Sequence, residues 1–263
     1  MLTILLNYSY IFGSFSDDVV DGWFLMSSFR PIFLIVLAYL LFILKLGLKI
    51  MEKRKPLRIK KLLIAYDLFQ VFFNGWLVWL VSLQRPFSLI LQNQEIHFML
   101  VQNALSFQVL SGAWYFFMSK LTDLLDTIFF VLRKKQSHVT FLHVAHHVNM
   151  LVLSWAFLKY MKDEHAILAG VLNSFVHIWM YGYYFLAALG PSVQKYLWWK
   201  KHITQLQIVI YLGVLLYNRC EMLFSLTIYI AATASCFLYF FLKFYFDTYN
   251  KRKEIQSGEE KDE

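Results

Sequence analysis

Long apolar runs separated by short polar breaks are the feature that most constrains how this sequence folds. They lie at about 31–51, 62–83, 107–132, 141–159, 165–187, 203–218 and 223–246. Each is close to or longer than the ~17–25 residues with which an α-helix crosses a ~30 Å hydrocarbon core. Hydrophobic residues make up 59% of the 263-residue chain and charged residues only 16%, outside the range of soluble proteins. The pattern predicts an all-α integral membrane protein with about seven transmembrane helices.

The basic residues lie in short clusters between the apolar runs. Although the formal net charge is +8, this placement is typical of membrane topology and argues against a nucleic-acid partner. One side of the predicted spans carries most of the Lys and Arg residues, whereas the other carries Arg30, Arg85, Lys159, Lys162 and Arg219. The positive-inside rule therefore predicts a cytosolic C-terminus and a non-cytosolic N-terminus. Asn7 begins an Asn-Tyr-Ser glycosylation sequon on that non-cytosolic side.

We predict one transmembrane domain over residues 1–249, followed by a disordered tail at 250–263 that is charged and lacks aromatic residues. The segment 84–106 is too polar to span the membrane and is expected to form an extended loop. Cys220 and Cys236 indicate neither a disulfide framework nor a cysteine-ligated metal.

Ionisable side chains at membrane depth mark candidate functional residues, because each costs several kcal/mol. In the third span Lys120, Asp123, Asp126 and Thr127 follow the spacing i, i+3, i+6, i+7, which places them on one helical face. Lys120 and Asp123 could form a purely structural ion pair. Asp126 adds a negative charge that requires a histidine or another donor.

Three further spans carry polar residues at helical spacing. The fourth places His143, His146 and His147 on one face within two turns, close to a cytosolic basic cluster. The fifth carries Asn173, His177, Tyr181 and Tyr184, and the sixth carries Thr204 and Gln207. The tyrosines could instead belong to an interfacial aromatic belt, and Thr204 and Gln207 could simply bridge helices.

Three kinds of chemistry could use such a constellation. A di-iron desaturase or hydroxylase needs about eight histidine ligands in several boxes, and this chain has one box. A transporter would explain the buried charge, but the sequence lacks a pair of helices interrupted by Pro or Gly. The third is metal-free acyl transfer, in which imidazoles act as nucleophile, base and oxyanion donors.

The ordered motifs resemble those of the ELO family of very-long-chain fatty acid elongases. They are Lys120-x-x-Asp123-x-x-Asp126-Thr127, His143-x-x-His146-His147, Asn173-x-x-x-His177-x-x-Met180-Tyr181-x-Tyr183-Tyr184 and Thr204-x-x-Gln207. The resemblance covers about residues 20–250. Asp123 stands where the family commonly has Glu, and Ile210 stands where a second Gln is common.

The resemblance implies a 3-ketoacyl-CoA synthase of the endoplasmic reticulum membrane, with its N-terminus in the lumen and its helices enclosing a substrate tunnel. Such an enzyme condenses malonyl-CoA with a long-chain acyl-CoA and releases CO₂ and CoA, without a metal or other cofactor. The reductases and dehydratase of the elongation cycle are its expected partners.

A Claisen condensation requires an activated acyl group, an enolate and donors for two oxyanions. Because no cysteine lies near the polar cluster, either the acyl-CoA reacts directly or an imidazole takes the acyl group. We expect an imidazole to take it, with His146 as the first candidate. His143, His147 and His177 are candidate bases and oxyanion donors, and Asp126 is expected to orient one ring. The expected CoA phosphate contacts are Lys134, Lys135, Lys200 and Lys201, and the other substrate-binding candidates are Lys120, Asp123, Asn173, Tyr181, Tyr184, Thr204 and Gln207.

Overall fold

The computed structural model describes residues 18–84, 104–161, 164–217 and 224–246. Over these ranges the chain is helical and contains no strand. Its long helices are α1 (Arg30–Glu52), α2 (Lys60–Gln84), α3 (Ala104–Leu132), α4 (Phe141–Ala156), α5 (Glu164–Leu189), α6 (Lys200–Tyr217) and α7 (Phe224–Tyr245). Their bounds lie close to those of the apolar runs, so the all-α prediction is confirmed. The tail at 250–263, most of the loop at 84–106 and Asn7 lie outside the described residues.

Three of the described helices are long and apolar enough to cross a membrane. They are Arg30–Glu52, Lys60–Ser82 and Phe141–Tyr160, with mean hydropathies of 2.5, 1.4 and 1.3. A shorter apolar stretch, Ala231–Tyr245, lies in α7. Many of their large apolar side chains are exposed, including Phe33, Leu34 and Phe72. Such exposure is expected where lipid is the solvent.

The chain forms two compact units. The first contains the described residues up to Leu63 together with Phe72–Ser174, and the second contains Ile64–Val71 and the described residues from Phe175 onward. The predicted domain over residues 1–249 stays a prediction.

Helices α1, α3 and α4 supply the core of the first unit. The fully or almost fully buried apolar side chains of these helices include Ile32, Tyr39, Ile43, Phe117, Val131, Leu151 and Trp155. Pro31 occupies the first turn of α1, where its missing N–H costs no helical hydrogen bond. Thr140 begins α4 by accepting a hydrogen bond from the backbone N–H of His143 at 3.2 Å.

Gly47 lies at a close approach of α1 and α3. A Cβ added to Gly47 would come within 2.9 Å of Val131 Cγ1 and within 2.8 Å of the Phe42 carbonyl oxygen. The second contact arises because α1 contains a π-helical turn at Phe42–Leu46, in which the backbone N–H of Gly47 donates to the Phe42 carbonyl five residues earlier. A larger side chain would therefore separate the two helices.

A buried ammonium group anchors the segment that precedes α1. Lys159 forms an ion pair with Asp21 and donates a hydrogen bond to the Met26 carbonyl at 2.9 Å. The Trp155 indole donates to the Leu25 carbonyl at 3.0 Å. The sequence analysis counts Lys159, at the end of the fourth apolar run, only among the basic residues of the non-cytosolic side. The structure buries it directly after α4, in the π-helical turn Phe157–Met161.

Candidate active site

A buried lysine links α3 to α5 within the first unit. Lys120 Nζ donates hydrogen bonds to Asp123 Oδ2 and to Asn173 Oδ1, each at 2.8 Å. It also lies 4.8 Å from the centroid of the Phe116 ring. Lys120 and Asp123 are only 2% and 1% exposed. The shorter Asp side chain therefore reaches Lys120 from position i+3, and the structure contains the ion pair that the spacing suggests.

The histidines of α4 form a cluster of rings in its first two turns. The ring centroids of His143 and His147 are 4.3 Å apart, and those of His146 and His147 are 5.8 Å apart. Because the cluster begins at the N-terminus of α4, the positive end of the helix dipole favours negative charge beside it. The cluster can supply a nucleophile, a base and donors to an oxyanion.

Thr127 joins the polar face of α3 to this histidine cluster. Its Oγ1 lies 3.0 Å from His143 Nε2 and accepts a hydrogen bond from the Tyr39 hydroxyl at 2.7 Å. The sequence predicts that Asp126 orients a histidine ring. Asp126 is buried on α3, and its proposed role stays a prediction.

The second unit holds a separate set of polar and aromatic contacts. The hydroxyl oxygens of Tyr66 and Tyr181 are 3.4 Å apart, and Gln70 Nε2 donates to the Tyr66 hydroxyl at 2.9 Å. The His177 ring lies 5.5 Å from the Tyr181 ring, whose own neighbour Tyr184 is 6.1 Å away. His177 and Tyr181 are buried, whereas Tyr184 is exposed.

Thr204 is buried on α6 and Gln207 is half-buried on the same helix.

The predicted CoA-binding lysines have unequal surroundings. Lys134 donates to the Glu52 carbonyl at 3.1 Å. It has a φ of +55°, and the bonds from the N–H groups of Lys134 and Lys135 to the carbonyls of Val131 and Phe130 complete a Schellman cap on α3. Burial lowers the pKa of Lys135, and the charge of Arg133 lowers this pKa further. Lys134 therefore also ends a helix.

The remaining predicted lysines, Lys200 and Lys201, lie at the start of α6 and are exposed. Lys200 Nζ is 5.6 Å from the Tyr183 ring. In the first unit an open cleft of about 500 Å³ is lined by Leu48, Lys49, Met51, Glu52, Lys134 and Gln136. Lys49 is a cationic residue of this cleft that the sequence interpretation did not place at the site.

The sequence interpretation also missed polar residues on α1 and α2. Asp67, Gln70 and Asn74 are buried and follow the spacing i, i+3, i+7, so the same search for polar residues at membrane depth would have found them. On α1 the missed residue is Tyr39, whose hydroxyl donates a hydrogen bond to Thr127. A single tyrosine in an apolar run gives no comparable signal.

The described residues contain no group of three or more His, Cys, Asp or Glu side chains that could hold a metal ion. Lys120, at the start of the polar face of α3, explains part of this, because its ammonium competes with a metal cation for the Asp123 carboxylate. The expectation of a metal-free site stays a prediction.

Comparison with known proteins gives one consistent result. The model of the family described as "ELO: GNS1/SUR4 family" matches residues 24–257. The chain is 38% identical over 251 residues to very long chain fatty acid elongase 7 of Drosophila melanogaster, covering 90% of this chain and 74% of that protein. It is 36% identical over 254 residues to human very long chain fatty acid elongase 4, covering 93% and 79%. It is 37% identical over 257 residues to mouse very long chain fatty acid elongase 2, covering 93% and 86%.

Proposed function

Because this chain belongs to the ELO (GNS1/SUR4) family, we propose that its histidine cluster condenses a long-chain acyl-CoA with malonyl-CoA through an acyl-imidazole intermediate. The general activity follows from membership of the family. The protein is a multi-pass membrane enzyme that catalyses the condensing step of fatty acid elongation and acts on acyl-CoA. Family membership thus separates the chain from the desaturases and transporters that the residue pattern alone left open.

The proposed reaction has two steps. In the first, the His146 imidazole attacks the thioester carbon, the C–S bond breaks, and the released thiolate takes the imidazole proton and leaves as CoA. In the second, malonyl-CoA loses CO₂, and the enolate that remains attacks the acyl carbon and displaces the imidazole, which regains a proton from solvent. The products are 3-oxoacyl-CoA, CO₂ and CoA.

The observation that carries this proposal is the packing of three imidazoles at the start of α4, with His147 in contact with both other rings. One ring can form the covalent bond while its neighbours donate to the oxyanion. The described cysteine, Cys236, belongs to the other unit and is exposed on α7. Soluble condensing enzymes commonly use a cysteine nucleophile, and the sequence of the first unit contains no cysteine, which favours a histidine of the cluster as the nucleophile.

The ion pair of Lys120 and Asp123 is proposed to support substrate binding next to this cluster. The pair is neutral as a whole, and Asn173 holds the lysine from a second helix. His177 is a further proposed base or oxyanion donor, and the other proposed substrate-binding residues are Tyr181, Tyr184, Thr204 and Gln207. Asp126 orients one of the catalytic rings.

The proposed CoA site uses cationic residues at or near the ends of the predicted spans. Lys49 and Lys134 line one open cleft, and a cluster of ammonium groups attracts phosphates as point charges. Lys135, Lys200 and Lys201 are further cationic candidates. The distribution of Lys and Arg supports a cytosolic location for this end and a lumenal N-terminus. We place the enzyme in the endoplasmic reticulum, with reductases and a dehydratase processing its 3-oxoacyl product.

Incubation with acyl-CoA alone tests the covalent step. The purified enzyme is expected to release CoA and to gain the mass of one acyl group before malonyl-CoA is added. His146→Ala should abolish the adduct, whereas His202→Ala, at an exposed histidine on α6, should leave it unchanged. If CoA is released only after malonyl-CoA is added, the covalent intermediate is wrong and condensation proceeds in a ternary complex.

A further inference from the structure

A chain of three hydrogen-bonding groups connects α1 to the histidine cluster. The Tyr39 hydroxyl donates to Thr127 Oγ1 at 2.7 Å, and Thr127 Oγ1 lies 3.0 Å from His143 Nε2. Tyr39 is 4% exposed and Thr127 is fully buried. Water therefore has little access to either hydroxyl, and their hydrogen bonds must be made within the protein.

The number of available protons determines which group donates and which accepts in each of these hydrogen bonds. Thr127 Oγ1 accepts from Tyr39, and its own hydroxyl proton needs an acceptor. Within the described chain, its remaining hydrogen-bond partner is His143 Nε2. Both buried hydroxyl protons are satisfied only when Tyr39 donates to Thr127 and Thr127 donates to His143.

This direction has a consequence for the imidazole. A neutral histidine has one protonated nitrogen and one acceptor nitrogen. Since Nε2 accepts the Thr127 proton, the proton of the ring lies on Nδ1. The Phe130 and His147 rings, at 5.5 Å and 4.3 Å, pack against the same ring and restrict its rotation.

We propose that Tyr39 is a positioning residue of the condensation reaction, which acts through Thr127 to hold His143 as its Nδ1–H tautomer. In this form the ring can donate a hydrogen bond from Nδ1 to a developing oxyanion, while the Thr127 hydroxyl engages the Nε2 lone pair with which a neutral imidazole acts as a base or a nucleophile. The inference rests on the proposed location of the reaction at the histidine cluster. The inference gives the two histidines different roles: His143 donates to the oxyanion, and His146 is the nucleophile.

The close approach of α1 and α3 makes this contact possible. Gly47 packs its backbone against Val131, one turn after Thr127 on α3. The Tyr39 phenol thereby reaches a threonine that is 88 residues away in the sequence. A tyrosine that served only as core packing would use its ring and would not require its hydroxyl.

Replacement of the hydroxyl alone separates these two roles. Tyr39→Phe keeps the ring and is expected to lower kcat for two-carbon elongation by about 3- to 10-fold, the effect of one net hydrogen bond, with little change in KM for acyl-CoA. Tyr115→Phe is the matched control, because Tyr115 lies on α3 and its described contacts are those of its ring with Trp76 and Trp114. Unchanged kcat in Tyr39→Phe would overturn the proposal.

Two replacements of His143 test the tautomer directly. The amide nitrogen of Asn lies near the Nδ1 position of histidine, whereas that of Gln lies near the Nε2 position. His143→Asn is therefore expected to retain more turnover than His143→Gln, and Tyr39→Phe should have no further effect in the His143→Asn background. The assignment would be overturned if His143→Gln had a turnover equal to or greater than that of His143→Asn. It would also be overturned if Tyr39→Phe caused its full loss of turnover in the His143→Asn background.

A second pair of variants covers the case in which Tyr39→Phe does not fold. Thr127→Ser retains the relaying hydroxyl and should keep more turnover than Thr127→Val. Equal turnover of the two would contradict the relay. The acyl-adduct assay gives an independent answer about His146. If acyl-CoA alone gives no adduct, the covalent intermediate is wrong. The effect of Tyr39 on His143 can still be measured, because it is read from kcat for overall elongation.

Discussion

Lys120 Nζ and Asn173 Oδ1 are 2.8 Å apart, so an uncharged amide on α5 accepts a hydrogen bond from a buried ammonium on α3. The negative charge that balances this ammonium comes from Asp123, one turn along α3. A buried ammonium is stable only while its counter-charge remains beside it. Breaking a buried ion pair leaves an uncompensated charge and costs about 3–5 kcal/mol.

Asp123→Asn is therefore expected to lower the thermal stability of the detergent-solubilised protein strongly, because Lys120 loses its counter-charge. Asp123→Glu keeps the charge and should retain both folding and activity. Glu52→Gln, at an exposed carboxylate on α1, is the matched control. A wild-type Tm for Asp123→Asn would show that the pair does not stabilise the fold.

The ion pair of Asp21 and Lys159 is expected to respond asymmetrically to mutation. The Lys159 side chain is 8% exposed and the Asp21 side chain is 34% exposed. Asp21→Asn leaves a buried ammonium without its carboxylate, whereas Lys159→Met leaves a carboxylate that water can reach. Asp21→Asn should thus lower the Tm more than Lys159→Met. Lys53→Met, at an exposed site, provides the baseline, and the reverse order of the two Tm values would contradict the argument.

Gly47→Ala is expected to destabilise the first unit by about 1–3 kcal/mol, the usual range for overpacking. The added methyl group would meet Val131 and the Phe42 carbonyl. Because the same contact brings α1 against α3, turnover should also fall. Gly75→Ala is the control, since a Cβ at Gly75 has open space around it. Equal Tm values for the two variants would be inconsistent with close packing at Gly47.

Removal of metal ions should leave the activity intact. The proposed chemistry uses imidazoles, and the ammonium of Lys120 occupies the carboxylate that a metal would need. Activity is measured after dialysis against a strong chelator, with metal content determined on the same sample. One bound iron or zinc per chain, together with activity that is lost on its removal and restored on its return, would contradict this prediction.

The orientation can be tested at Asn7. If the N-terminus is lumenal, endoglycosidase treatment should shift the mobility of the protein, and Asn7→Gln should remove that shift. An engineered sequon on the C-terminal tail should stay unmodified. Glycosylation of that tail would reverse the predicted topology.

The sequence predicted the helices and the faces on which the polar residues lie, because both depend on local periodicity. Each apolar run reaches membrane length without reference to any other, and the spacing of His143, His146 and His147 places them on one face of any α-helix. The same reasoning placed Lys120 and Asp123 in reach of each other at i, i+3.

The contacts between helices could not be predicted in this way, because they depend on how each helix is rotated and how closely it packs. Asn173 as the partner of Lys120, Asp21 as the partner of Lys159, and Tyr39 as the donor to Thr127 join residues far apart in the chain. Helical period says which residues share a face but not which face another helix covers. Only the tertiary structure, through close approaches such as that of Gly47 to Val131, decided which polar groups meet.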